Sequence, residues 1–296
     1  MRKIKIKFSD ESIKFLLKSQ RQELTQHYIY KRFIPRIDDF YNQRLLEMIA
    51  NDELTHHNYL KRLTARDVKP NIFKIIWYIF MSYVFGISFI LKLMERKEMY
   101  GRIRYKKFRY KVDEVGRIIK DEYWHEIKLL DILNEAKIRF LSSILTILND
   151  AMAGITAILL GLTMVLMDSR LIAAVFLSIG FAVAISMISS DMLKRKKERF
   201  EKKTSLKMIL LKGIFYIITI AFLIIPFLII KNPLIALAVA VLLIVFVIDV
   251  FNFYISVVEN KNFKRQFTET ILLNLSVGTI SLVIGFVIRR IFSINV

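Results

Sequence analysis

Beyond residue 139 the chain passes through stretches of about 20 or more mostly apolar residues, each the length an α-helix needs to cross the hydrocarbon layer of a bilayer. They are read at about 140–167, 170–192, 206–230, 233–257 and 269–290. Lipid offers backbone N–H and C=O groups no partners, so these stretches are predicted to be helices that satisfy their own hydrogen bonds. The chain is 55% hydrophobic yet carries a formal net charge of +20, a pairing that points to a membrane protein rather than a soluble one.

Charge is segregated along the chain. Residues 1–140 hold 30 Lys/Arg against 18 Asp/Glu, while residues 141–296 hold 16 against 8. Beside membrane helices a basic excess reads as attraction to anionic lipid and a cytosolic address, not as nucleic-acid binding. The loops set the orientation. The second is basic from Lys194 to Lys203 and the fourth holds Lys261, Lys264 and Arg265, whereas the first and third hold only Arg170 and Lys231. Positive residues stay inside, so the N-terminal part is expected in the cytosol of a multi-pass cell-membrane protein.

Residues 1–138 are predicted to be helical throughout, because apolar positions recur at three- and four-residue spacing and Pro35 and Pro70 fall where connections belong. Four helices, near 9–33, 38–64, 71–100 and 103–138, make an antiparallel bundle. Ile75 to Leu91 is a run of 17 residues without a charge, flanked by Lys74 and Lys92. It reads either as a sixth span or as a bundle helix whose outer face lies on the membrane surface, and the chemistry of the bundle favours the second.

The chain contains no cysteine. That removes disulfides, iron–sulfur clusters and thiolate zinc sites, so a metal has to sit on oxygen and nitrogen. All four histidines, at 27, 56, 57 and 125, lie in the N-terminal part. Two occur in one pattern, Glu53-Leu-Thr-His56 and Glu122-Tyr-Trp-His125. Residues i and i+3 share a helix face, so each pair can grip one side of a metal centre. A carboxylate-bridged centre in a helical bundle takes a Glu from each of two helices and a Glu-x-x-His from each of the other two. Glu23 lies 30 residues before Glu53 and Glu95 lies 27 before Glu122, spacings that suit one helix, a turn and a return to the same height. His27, His57, Glu114 and Glu126 are read as parts of solvated faces.

Residues 9–138 thereby resemble the rubrerythrin branch of the ferritin-like superfamily, with Glu23, Glu53, His56, Glu95, Glu122 and His125 at its ligand positions. The resemblance implies a di-iron site bridged by Glu53 and Glu122, with Glu98 as a second glutamate on the third helix, and O₂ or peroxide as oxidant. Peroxidases of that family draw electrons from a four-cysteine iron domain. This chain has none, which shifts the expectation toward iron sensing or oxidation.

Ionisable groups inside spans are functional candidates by default, and Asp150, Asp191 and Asp249 are the ones here. Residues 139–292 resemble the vacuolar iron transporter family through Asn149-Asp150, Ser186-Met187 with Asp191 beyond, and Phe251-Asn252-Phe253-Tyr254. Ser276, Gly278 and Gly285 add a small-residue stripe of the kind that lets membrane helices pack closely. The resemblance implies an ion path past Asp150 and Met187, with Asn149, Asp191 and Asn252 beside it. Ala151 stands where that family has Gly, and the loop between the second and third spans lacks its glutamate-rich metal collector.

The expected protein is all-α: a ferritin-like four-helix bundle over 1–138 fused to a five-helix transmembrane bundle over 139–296. The combined resemblance, that of a membrane-bound ferritin, implies a homodimer that moves Fe²⁺, or Mn²⁺, out of the cytosol in exchange for protons. The alternative is a ferroxidase or peroxidase whose spans serve only as an anchor.

Overall fold

The computed structural model describes residues 9–106, 113–132, 135–197 and 206–292; within these, the side chains of 97–106, 113–115, 130–131, 135–137 and 197 stand outside the description. Among the described residues are ten α-helices and no strand. They divide into two compact units, Met1–Ile138 and Arg139–Val296.

In the first unit the helix ends follow from capping residues. Helix α1 (Asp10–Phe33) starts at Ser9, whose hydroxyl accepts the Ser12 N–H at 3.3 Å, and runs into a 3-10 turn at Ile34–Arg36 where Pro35 can no longer donate. Helix α2 (Phe40–Thr64) is capped by Asp39, which accepts the Asn42 N–H at 2.8 Å, and stops where Ala65 turns left-handed. Asn71 caps α3 (Ile72–Phe85), which is followed by α4 (Ile87–Lys106) and α5 (Asp113–Ile132).

One boundary differs from expectation. The continuous helix expected over 71–100 is two helices, because Gly86 adopts a φ of +86°, a region that side-chain-bearing residues rarely enter. With 14 residues, α3 extends about 21 Å, short of the roughly 30 Å of a bilayer core, and it is a shorter apolar helix rather than one of those long enough to cross a membrane. Tyr78 and Ser82, one turn apart, are its buried residues, while Phe73, Ile76, Phe80 and Tyr83 are exposed. Arg36 fastens it to the preceding turn, donating to Ser82 Oγ at 2.6 Å and covering the Tyr83 ring at 4.1 Å. Of the helix expected over 103–138, the described residues 103–106, 113–132 and 135–138 are helical, and the rest lie outside the described residues.

Helix α1 packs on α2, α4 on α5, and α2 on α5. Leu16, Leu60 and Ile118 form a buried apolar cluster from three of these helices. His27 and His57 correct the expectation of a solvated face, since each is 4% exposed. A backbone carbonyl can only accept, so His27 Nδ1 donates to Ala50 O at 2.6 Å and His57 Nδ1 to Gln20 O at 2.9 Å, tying α1 to α2 from both sides. Glu126 is half-buried rather than a free surface charge, and the side chain of Glu114 lies outside the described residues.

The second unit consists of α6 (Glu135–Leu166) from Arg139 onward, α7 (Ser169–Lys197), α8 (Leu206–Ile229), α9 (Pro233–Val258) and α10 (Phe263–Ile291). Each is long and apolar enough to cross a membrane. Sequence neighbours from α7 to α10 pack against one another. Helix α10 begins at Phe263, so Lys264 and Arg265, expected in a loop, form its first turn. Small residues bring α6 and α10 together: a Cβ at Gly285 would lie 2.7 Å from the Gly161 carbonyl oxygen, and one at Gly278 would lie 2.6 Å from the Leu160 side chain.

Candidate metal centre

The i, i+3 spacing does locally what the sequence implied. Glu23 on α1, Glu53 and His56 on α2 and Glu122 on α5 each offer a ligand atom, and these atoms all lie within 4.8 Å of one another. All four are buried, at 2%, 0%, 4% and 5% exposure. His56 Nδ1 lies 3.7 Å from Glu122 Oε1 and 4.0 Å from Glu53 Oε2. His125, 1% exposed, joins from α5 with Nδ1 3.3 Å from Glu53 Oε1. The two imidazole rings stand 5.7 Å apart, centroid to centroid.

Helices α2 and α5 meet in opposite directions, and this brings in two residues that the sequence reading did not single out. His56 Nε2 lies 3.2 Å from Asp121 Oδ2, and His125 Nε2 lies 3.1 Å from Asp52 Oδ2. Each aspartate immediately precedes the glutamate of its own helix and holds the histidine of the other. The signal was present as Asp-Glu-x-x-His written twice. The His56 hydrogen bond holds the Asp121 carboxyl below its usual range, with burial opposing. An ionised carboxylate only accepts, so each Nε2 carries a proton and each Nδ1 faces the glutamates.

This arrangement fits a cation on its own chemistry. Three buried carboxylates around an imidazole lone pair repel one another, and a buried charge requires an opposite one. A divalent ion held by Glu23, Glu53, His56 and Glu122 would supply it, and the oxygen/nitrogen donor set is of a kind that first-row ions such as manganese and iron accept.

The remaining expected ligands are placed differently. Glu95 is buried on α4 at 5% exposure, and its Oε2 meets the Lys92 ammonium at 2.7 Å. The side chain of Glu98 lies outside the described residues.

In the second unit the expected residues separate. Asn252 donates through Nδ2 to Asn149 Oδ1 at 3.3 Å, Asn149 donates to Thr270 Oγ1 at 3.3 Å, and Thr270 lies 3.4 Å from Asn252 Oδ1. One turn along, Thr156 donates to Asn274 Oδ1 at 3.0 Å. Asn149 and Asn252 thus belong to a closed polar network across α6, α9 and α10, and neither reaches Asp150 in it. Asp150 stands exposed on α6, Asp249 exposed on α9, and Met187 half-buried on α7. Asp191 is engaged by Lys212 at 3.1 Å and by Lys194 at 3.8 Å, and Lys212 is itself buried.

No family model, no curated protein and no solved structure matches this chain. The fold and the site define an all-α protein in which five helices are long and apolar enough to cross a membrane and a buried carboxylate/histidine cluster is able to hold a metal ion.

Proposed function

We propose that this protein is an integral membrane transporter that moves Fe²⁺, with Mn²⁺ as a second cargo, out of the cytosol in exchange for protons. Its N-terminal unit is a cytosolic metal collector of rubrerythrin type, and its second unit is a membrane domain of vacuolar iron transporter type, working as a homodimer. The observation that carries the reading is the buried Glu23–Glu53–His56–Glu122 cluster in a chain that also has five apolar helices. The basic second loop supports a cytosolic N-terminal unit.

Each residue then has a task. Glu23, Glu53, Glu122 and His56 bind the cation, and Asp52 and Asp121 hold the imidazoles with Nδ1 facing it. Iron held there would supply redox chemistry toward O₂ or peroxide. Asp150 and Met187 offer a carboxylate and a thioether to the passing ion. Asp150 stands on an outward face of α6 in the single chain, where a second copy can cover it. Asp191 belongs to the helix packing rather than to the path, because Lys212 neutralises it. The test is Fe²⁺ and Mn²⁺ uptake into inside-out vesicles carrying the wild type or Asp150→Ala. Loss of flux in the variant supports transport, and unchanged flux overturns it.

One observation favours a second reading. Asn149, Asn252 and Thr270 satisfy one another across three helices, as they would in a bundle that only anchors the protein. A membrane-anchored ferroxidase predicts O₂-dependent Fe²⁺ oxidation that Glu53→Ala abolishes while no ion crosses.

A further inference from the structure

The two halves of the N-terminal bundle are built alike, and the difference between them is informative. Each half has a glutamate on its first helix, Glu23 on α1 and Glu95 on α4, followed by Asp-Glu-x-x-His on its second. Three residues before Glu23 stands Gln20, a neutral side chain that is fully buried. Its amide donates to Arg66 O at 3.0 Å and accepts from Thr64 at 2.8 Å, so it turns to the end of α2 and Glu23 faces the cluster. Three residues before Glu95 stands Lys92, 8% exposed, with its ammonium on Glu95 Oε2 at 2.7 Å.

A lysine is almost never buried unless paired, and the partner chosen here is the carboxylate that the symmetric plan would give to a second metal ion. We infer that Lys92 is a built-in cation. The ammonium takes the charge position of the second ion, so the centre holds one divalent cation, between Glu23, Glu53, His56 and Glu122, and resists a second. The inference rests on the reading of the cluster as a metal centre. It makes the centre a one-ion carrier with an asymmetric pair of halves, in place of a symmetric two-ion site. A single ion on one side is easier to release than a bridged pair, which suits a collector.

The experiment uses the full-length protein in detergent, stripped with chelator and loaded with Mn²⁺, with metal per chain measured by mass spectrometry and the ion's state by electron paramagnetic resonance. Wild type is expected to keep one Mn²⁺ per chain with the six-line spectrum of an isolated ion. Lys92→Met and Lys92→Gln are expected to keep two, with an exchange-coupled spectrum, the second ion binding roughly 100-fold tighter once the ammonium no longer occupies Glu95. Circular dichroism shows which of the two variants keeps its helices, and either suffices. Two coupled ions in the wild type, or one ion in both folded variants, overturns the inference and leaves the metal centre standing. No tightly held Mn²⁺ in the wild type, or an ion that survives Glu53→Gln, overturns the metal centre and the inference together.

Discussion

His56 on α2 and Asp121 on α5 are joined at 3.2 Å, Nε2 to Oδ2, and the reciprocal pair, His125 with Asp52, is joined at 3.1 Å. The aspartates touch the histidines on the side away from the glutamates, so they fix ring orientation without contributing a donor. Asp121→Asn is therefore expected to lower divalent-cation affinity by roughly 10- to 100-fold with the helix content unchanged. Competition against a chromophoric chelator measures it; an unchanged dissociation constant would show that the ring is held by packing alone.

Glu53 is fully buried between His56 and His125 and close to Glu23 and Glu122. In the metal-free protein its charge opposes folding, and in the loaded protein it binds. Glu53→Gln is expected to raise the melting temperature of the stripped protein and to abolish the rise that added Mn²⁺ gives. In the wild type that rise corresponds to about 2.7 kcal/mol at a hundredfold excess over Kd. Parallel thermal scans with and without metal would read both signs.

Much of this centre was legible because a helix converts sequence spacing into direction: Glu53 and His56, or Glu122 and His125, are neighbours on any helix, whatever it packs against. What spacing does not encode is which partner a side chain finds across a helix boundary. Glu95 is the exception, since its meeting with Lys92, three residues before it on the same helix, was written in the spacing. His27 and His57 looked like surface residues by type, and only the close packing of α1 on α2 turns their rings onto Ala50 and Gln20 carbonyls. The break in the third helix was hidden because hydrophobicity continues through Gly86 unchanged while the backbone reverses sign.

Asn252 is fully buried, and its amide bridges Asn149 on α6 and the Ile248 carbonyl of its own helix. Asn252→Ala leaves the Asn149 and Thr270 groups short of a partner, at a cost of about 0.6–2 kcal/mol. The loss is expected as a lower unfolding midpoint in detergent. A midpoint equal to wild type would mean that the network closes without it.

Gly285→Ala places a Cβ against the Gly161 carbonyl oxygen at 2.7 Å, a backbone atom that cannot rotate away. The change is expected to destabilise the second unit by about 1–3 kcal/mol. Gly154→Ala on α6, where a Cβ meets nothing within 4 Å, is the matched control and is expected to be neutral.

Helix α3 carries Phe73, Ile76, Trp77, Phe80 and Tyr83 on exposed positions, with Lys74 among them. An apolar face with aromatic residues and a flanking cation suits the headgroup region of a bilayer. In a Trp124→Phe background Trp77 is the single tryptophan of the chain, and brominated lipid is expected to quench its fluorescence in proteoliposomes. Emission unaffected by bromine would assign this face to another partner.

The crossed aspartate–histidine pairs carry one more consequence. Neither the α1–α2 hairpin nor the α4–α5 hairpin holds a complete donor set with its own aspartates, because each borrows the orienting carboxylate from the other. Until the second hairpin has been made and has closed on the first, the chain lacks Glu122 and both crossed aspartate–histidine pairs, so the cluster is incomplete. A truncated or misregistered chain therefore never assembles the four donors in one place.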